Sequence, residues 1–207
     1  MLRFTEFRKD YGAGVVIAIL ALELEQGIYW LKGENGSGKT TLIKSIAGLM
    51  PFEGEIAVAG ISIKKEQTAY RAIVNYAEAE PLYPAFIPGS ELVDFYRRMK
   101  KAESKAVSRL VDALGIGGFM ANNTGTYSSG MAKKLSLVLG FIGNPKLVLL
   151  DEPLITLDQQ SVANLQQLVG EYLNLGVSFL VTSHQEVTFG PHTHTRLVVT
   201  DKTLSKT

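Results

Sequence analysis

The sequence predicts an α/β domain in which a mostly parallel sheet carries a helical lobe inserted between two of its strands. Three observations lead there. Uninterrupted aliphatic runs such as Leu147-Val148-Leu149-Leu150 suit strands covered on both faces, as those of parallel sheets are. Strand-like and helix-like segments alternate towards both ends of the chain. Between about Leu82 and Asn144 the pattern is mostly helical, so a lobe of helices interrupts the alternation.

In chain order, runs of aliphatic, β-branched and aromatic residues predict strands over Leu2 to Phe7, Val15 to Leu24, Ile28 to Leu31, Glu55 to Val58 and Ile73 to Tyr76. The same pattern returns over Leu147 to Leu150, Val177 to Thr182 and Arg196 to Thr200. Helical spacing of apolar residues predicts helices over Thr40 to Leu49, Gly89 to Lys101, Lys105 to Leu114, Ser129 to Ile142 and Gln160 to Leu175. No internal repeat, low-complexity tract or long linker divides the chain. The expected organisation is one domain over 1–207, with a core from 1–81 and 145–207 and a helical subdomain over 82–144.

Composition narrows the function. With 46% hydrophobic and 20% charged residues the chain belongs to ordered globular proteins. Lys plus Arg number 21 against 20 Asp plus Glu, so no global field attracts nucleic acid or anionic lipid, and no nucleic-acid partner is expected. There is no cysteine, which excludes disulfides, iron-sulfur clusters and thiolate zinc. The longest apolar stretch, Val15 to Leu22, is far short of the roughly 20 residues that span a bilayer. Acidic Glu6, Asp10, Glu23 and Glu25 around it argue against a secretory leader.

Chemistry concentrates in two clusters. Gly33-Glu34-Asn35-Gly36-Ser37-Gly38-Lys39-Thr40 fits the phosphate-loop pattern G-x-x-x-x-G-K-[ST] and stands between a predicted strand and a predicted helix. A polyphosphate needs many donors without side chains in the way. Glycines let the backbone wrap it, and the helix N-terminus supplies free N–H groups. ATP or GTP is the expected ligand, with Lys39 reaching the terminal phosphates and the Thr40 hydroxyl ligating Mg²⁺. Thr41, next on the helix, is counted with the binding residues. In the second cluster Asp151 and Glu152 end the aliphatic strand from Leu147, where ligands sit in open α/β sheets. Asp151 would help to hold Mg²⁺, and Glu152 could act as general base on the attacking water.

With both clusters in place, the chain resembles the ABC ATPase family over nearly its whole length. The family's L-S-G-G-Q signature, which starts a helix shortly before the Asp-Glu strand, has its counterpart in Tyr127-Ser128-Ser129-Gly130-Met131. Serine and small residues there expose N–H groups at a helix start. By the same resemblance Leu157-Asp158 looks like the D-loop, His184 in Thr182-Ser183-His184 like the histidine that contacts the γ-phosphate, and Tyr11 like the aromatic residue that stacks on adenine. An edge-strand tyrosine is the alternative for Tyr11. His192 and His194 in Pro191-His192-Thr193-His194 supply only two ligands and are expected to be solvated loop residues.

Two features depart from the family. A glutamine usually joins the core to the helical lobe; here Glu78 falls at that position, or Glu80 if the register shifts, and a carboxylate there could also ligate Mg²⁺. In the signature, Ser129 replaces a glycine and Met131 the glutamine, which resembles variants found in exporters of drugs, polysaccharides or haem.

What the resemblance implies is a P-loop NTPase fold of ABC type, with an antiparallel β portion from the N-terminal strands. The activity implied is ATP hydrolysis with Mg²⁺, energising a separate transmembrane permease subunit from the cytoplasmic face of the cell membrane. Two copies would pack as an ATP-dependent homodimer, Ser128 and Gly130 of one completing the phosphate site of Lys39, Thr40, Asp151, Glu152 and His184 of the other, with Asp158 also counted among the nucleotide-binding residues. Leu82, Tyr83, Phe86 and Ile87 would pack on the core or line a groove for a short helix of the permease. A soluble ABC ATPase of repair, translation or cofactor assembly is the alternative, although no coiled-coil insertion or basic arm is visible. An adaptor without turnover is disfavoured by intact Lys39, Asp151, Glu152 and His184. Cargo selectivity belongs to the permease.

Overall fold

The computed structural model describes residues 1–12, 14–186 and 188–207. Its strands form two sheets. The first holds β1 (Leu2–Asp10), β2 (Val15–Leu24), β4 (Glu53–Val58) and β5 (Ile61–Ser62) in the order β2-β1-β4-β5, paired antiparallel. Alternation drives it: Leu2 and Phe4 point inward and Arg3 and Thr5 outward. At Glu6 (φ 50) a bulge shifts the pairing with β4. Gly54 lies opposite, where a Cβ would come within 2.1 Å of the Glu6 carbonyl oxygen.

The second sheet has the order β10-β9-β3-β8-β7-β6, from β3 (Ile28–Lys32), β6 (Val74–Ala77), β7 (Leu147–Asp151), β8 (Ser178–Thr182), β9 (His194–Thr200) and β10 (Thr203–Lys206). All its pairs are parallel except β9 with β10. It is the middle layer of the molecule. Leu31, Leu149 and Leu180 face α1 (Lys39–Ile46) and the first sheet, packing with Leu42, Ile43, Phe4 and Ile56. Val148, Leu150, Phe179 and Val181 face α5 (Ser129–Phe141) and α6 (Gln159–Asn174), packing with Val138, Phe141 and Leu165. This double burial is why β7 and β8 read as unbroken apolar runs.

Helices α3 (Gly89–Met99), α4 (Ser104–Leu114) and α5 follow one another between β6 and β7, where the sequence placed the lobe. Three short elements escaped the sequence. α2 (Gln67–Ile73) buries only Tyr70 and so shows no apolar stripe. β5 has two residues. β10 buries only Leu204 and is fixed by its turn from β9, where Asp201 and Lys202 both have positive φ (49 and 60).

Two expectations need correction. His192 and His194 are not solvated loop residues. His194 begins β9, two residues before the expected strand start; its Nε2 lies 3.3 Å from a Glu186 carboxylate oxygen and its ring meets Trp30 edge-on at 5.7 Å. His192 packs so close to α6 that a Cβ on Gly170 would come within 2.9 Å of its Nε2. The stretch before α3 also divides. Leu82 and Phe86 are 93% and 77% exposed, whereas Tyr83 packs on the helical core. Among the described residues no helix is long and apolar enough to cross a membrane, and Val15 to Leu22 lies in β2.

Candidate functional site

Because β3, β6, β7 and β8 run parallel, their carboxyl ends share one edge of the sheet. From that edge emerge, in turn, the phosphate loop, Glu78, the pair Asp151 and Glu152, and Thr182 with His184. Ligands of open α/β sheets bind at such an edge. A cavity of about 640 Å³ opens there, within the range that holds a small-molecule ligand.

The phosphate loop bends as its glycines permit. Gly36 (φ 79) and Gly38 (φ 103) occupy left-handed backbone, and a Cβ on Gly38 would press within 3.1 Å of Val16. α1 starts directly after Gly38 and has no acidic residue in its first turn, so no side chain of its own neutralises the free N–H groups at its start. Lys39 Nζ reaches back to the carbonyl oxygens of Gly33 (2.7 Å) and Glu34 (2.9 Å), which holds its ammonium against the loop it serves.

Asp151 is buried, and hydroxyls aim its carboxylate. Tyr76 donates to Oδ2 at 3.1 Å and Thr182 donates to Oδ1. Burial, with the nearby Asp151 charge, raises the Tyr76 phenol above its ordinary range and keeps it a donor. Among the described residues Asp151 forms no ion pair with a basic side chain. A buried carboxylate aimed by hydroxyl donors and held in no salt bridge suits a divalent cation. Glu152 follows in left-handed backbone (φ 44), an unfavourable conformation for a side chain of its kind, held by bonds from its N–H to the Thr182 Oγ1 (3.0 Å) and carbonyl oxygen (3.2 Å). Its carboxylate, 13% exposed, lies 3.6 Å from the Nε2 of His184, which is 59% exposed.

Most of the residues singled out from the sequence converge here. Tyr11, Asn35, Gly36, Gly38, Lys39, Thr40, Thr41, Glu78, Asp151, Glu152 and His184 all line the cavity, and so does Glu80. The Tyr11 hydroxyl lies 3.4 Å from that of Thr41 and 3.2 Å from Met50 Sδ, at the rim. Gly33 and Ser37 belong to the loop but do not line the cavity; a Cβ on Gly33 would come within 2.5 Å of Ser37 Oγ. Ser128, Gly130 and Asp158 stand elsewhere. Ser128 caps α5 by accepting from the Met131 N–H (3.2 Å), Gly130 lies against the Thr156 carbonyl, and Asp158 caps α6 and pairs with Lys134 at 2.8 Å.

The sequence profile of the ABC transporter family matches residues 19–155. The chain belongs to the ABC transporter family. Within it, the chain is an ATP-binding subunit. A putative ABC transporter ATP-binding protein of Pyrococcus furiosus is 32% identical over 82% of this chain and 68% of its own length. The linearmycin resistance ATP-binding protein LnrL of Bacillus subtilis is 28% identical over 91% of this chain, which spans 63% of that relative. In fold, an ATP-binding cassette solved as a dimer in a post-hydrolysis state with ADP and Pi superposes with a TM-score of 0.83 at 17% identity, covering 100% of this chain and 98% of the other.

Beside these ABC ATPase motifs, the structure brings in residues to which the sequence assigned no role. Tyr76 and Thr182 are the penultimate and last residues of their strands, and their only sequence signal is a hydroxyl near the carboxyl end of an aliphatic run. Lys133 gave none: it occupies a buried position on α5, and burial pulls its pKa down to about 8.

Proposed function

We propose that this subunit hydrolyses ATP at the cavity on the sheet edge, as one half of a homodimer that energises a separate transmembrane permease from the cytoplasmic side of the cell membrane. One observation carries the chemistry: the phosphate loop, a buried carboxylate in no salt bridge among the described residues, and a second carboxylate within 3.6 Å of a histidine meet in one cavity. Thr40, Asp151 and Glu78 or Glu80 are the groups that would hold Mg²⁺, which neutralises charge on the β- and γ-phosphates. Tyr11 stacks on the adenine at the rim, and Lys39 leaves its loop carbonyls for the phosphates. Glu152 takes the proton of the attacking water, with His184 beside it to orient the γ-phosphate. Ser128 and Gly130 do not line their own chain's cavity, which favours their use, with Asp158, in the site of a second copy. An exporter is the favoured transport direction, in line with the altered signature and with the resistance function named for the Bacillus subtilis relative.

Glu152→Gln tests the reading. Turnover should fall by about 10² to 10⁴, the range for loss of a general base, while ATP affinity is kept. ATP should also trap this variant as a dimer in sedimentation. Wild-type hydrolysis by the variant would remove Glu152 from the catalytic role.

A further inference from the structure

Lys133 is 1% exposed and yet carries an ammonium group. Its Nζ donates to the carbonyl oxygens of Glu78 (2.7 Å), Ala79 (3.3 Å) and Asp151 (2.7 Å). None of the three belongs to its own helix. A buried charge is costly even when its donors are satisfied, and an apolar side chain of the same shape, such as methionine, fills such a space more cheaply. The acceptors suggest why the charge is there. Glu78 and Asp151 both line the nucleotide cavity, and Glu152 is the next residue along from Asp151. The helix that carries Lys133 starts at Ser129, directly after the cap Ser128.

We propose that Lys133 is a positioning residue for ATP hydrolysis, which fixes the loop of Glu78 against the end of β7 and ties both to the signature helix. This rests on the ATPase reading above. Three main-chain dipoles converge on a single cation, so the loop and the strand end are held to each other through one atom. The carboxylates of Glu78, Asp151 and Glu152 then inherit their separation from that bond set. The phosphate loop is outside the set, since none of its atoms bonds Lys133. Binding of ATP and the rate of its hydrolysis therefore depend on Lys133 to different degrees.

The fold supplies an internal control. Lys100, at the end of α3, also bonds main-chain carbonyls of the core, those of Arg71 and Val74. Those acceptors lie at the start of β6 and in the helix before it, the far end of the strand from the cavity. Lys100 fastens the lobe without touching the nucleotide site.

Steady-state hydrolysis of Mg-ATP by the full chain, with thermal unfolding, compares Lys133→Met, Lys133→Arg, Lys100→Met and Glu152→Gln. Lys133→Met should lower kcat by about 10- to 100-fold, since small misplacements of reacting groups have effects of that order. Its KM for ATP should stay within about threefold, because the phosphate loop is untouched. Lys133→Arg, which keeps a cationic donor, should retain at least about half of wild-type kcat. Lys100→Met should lose thermal stability at unchanged kcat. A folded Lys133→Met with wild-type kcat, or a drop in kcat no greater than that of Lys100→Met, overturns the proposal. If Lys133→Met does not fold, Lys133→Gln takes its place: kcat in the order Lys, Arg, Gln at constant KM supports the role, and equal values overturn it. An inactive Glu152→Gln beside an unimpaired Lys133→Met overturns this inference alone, an active Glu152→Gln removes only Glu152 from the catalytic role, and a wild-type chain that hydrolyses no ATP overturns the ATPase reading itself.

Discussion

Replacing Tyr76 by Phe removes a single oxygen from the wall of the nucleotide cavity and leaves the ring in its place on β6. That oxygen donates to Asp151 Oδ2 at 3.1 Å, one of the hydroxyls that aim the carboxylate. A hydrogen bond to a charged group contributes about 1.5 to 3 kcal/mol. Asp151 lines the nucleotide cavity, so a water entering there can replace part of the loss and the lower end applies. Expressed in the step that depends on Asp151, about 1.4 kcal/mol corresponds to a tenfold loss of rate. The phenol is held above its ordinary titration range by burial, so it donates throughout any practical assay and the loss should be independent of pH. Hydrolysis measured against Mg²⁺ concentration at saturating ATP should show a rate about tenfold lower or a comparably raised Mg²⁺ requirement, with folding stability reduced by about 1 kcal/mol. Thr182→Val should be more damaging, because Thr182 also accepts from the Glu152 N–H at 3.0 Å and holds that residue in its left-handed backbone. A Tyr76→Phe protein with wild-type rate and wild-type Mg²⁺ dependence would refute the assignment of Asp151 as a metal-holding group aimed by its neighbours.

Further outcomes follow from the same geometry. Lys39→Ala should weaken ATP binding at least about tenfold by calorimetry, since a charge-assisted contact to phosphate is lost; unchanged affinity would contradict the phosphate-loop assignment. Phe86→Glu should leave stability within about 0.5 kcal/mol in urea denaturation while abolishing co-purification with the permease. Tyr83→Glu should instead cost about 3 kcal/mol or more, because it places a charge in the packed lobe. The hydrogen bond from Lys134, helped by those from Ser161, holds the Asp158 carboxyl below its ordinary value of 3.8. Its contribution to stability is therefore complete above about pH 4 and lost as the solution is acidified further, so Asp158→Asn should flatten the acid limb of the stability profile. An unchanged limb would show that the Lys134 contact is too well solvated to matter.

The sheet was legible because its chemistry is monotonous. β7 and β8 are buried on both faces, and runs of aliphatic and aromatic residues fill most of their positions. Elements specified by their neighbours were not legible: β10 exists because the Asp201-Lys202 turn folds it back on β9, and α2 because Tyr70 plugs the core and bonds the Ile46 carbonyl. The same division runs through the site. Lys39, Asp151 and Glu152 announced themselves because local spacing reflects a local task, and His184 entered through the family resemblance. Tyr76, Thr182 and Lys133 act across strands and between layers, and single-chain spacing holds no trace of such contacts. The histidines near the C-terminal end were misread for that reason: His194 is defined by Glu186 and Trp30, neither of which is its neighbour in sequence.

Trp30 deserves a last consequence, since it is the chain's single tryptophan. Its indole Nε1 donates to the Ser183 carbonyl at 3.2 Å, the peptide unit that leads into His184. The cations of Arg196 and Lys32 lie 5.1 and 5.7 Å from its ring, and His194 meets its edge. The protein thus contains its own optical probe, attached by one bond to the loop that carries the histidine. Any displacement of that loop changes the indole's hydrogen bond and the electric field across it, and both shift its emission. A nucleotide that displaces that loop on arrival or departure should therefore be followed in time as changes in tryptophan fluorescence, without a label and without altering a single residue.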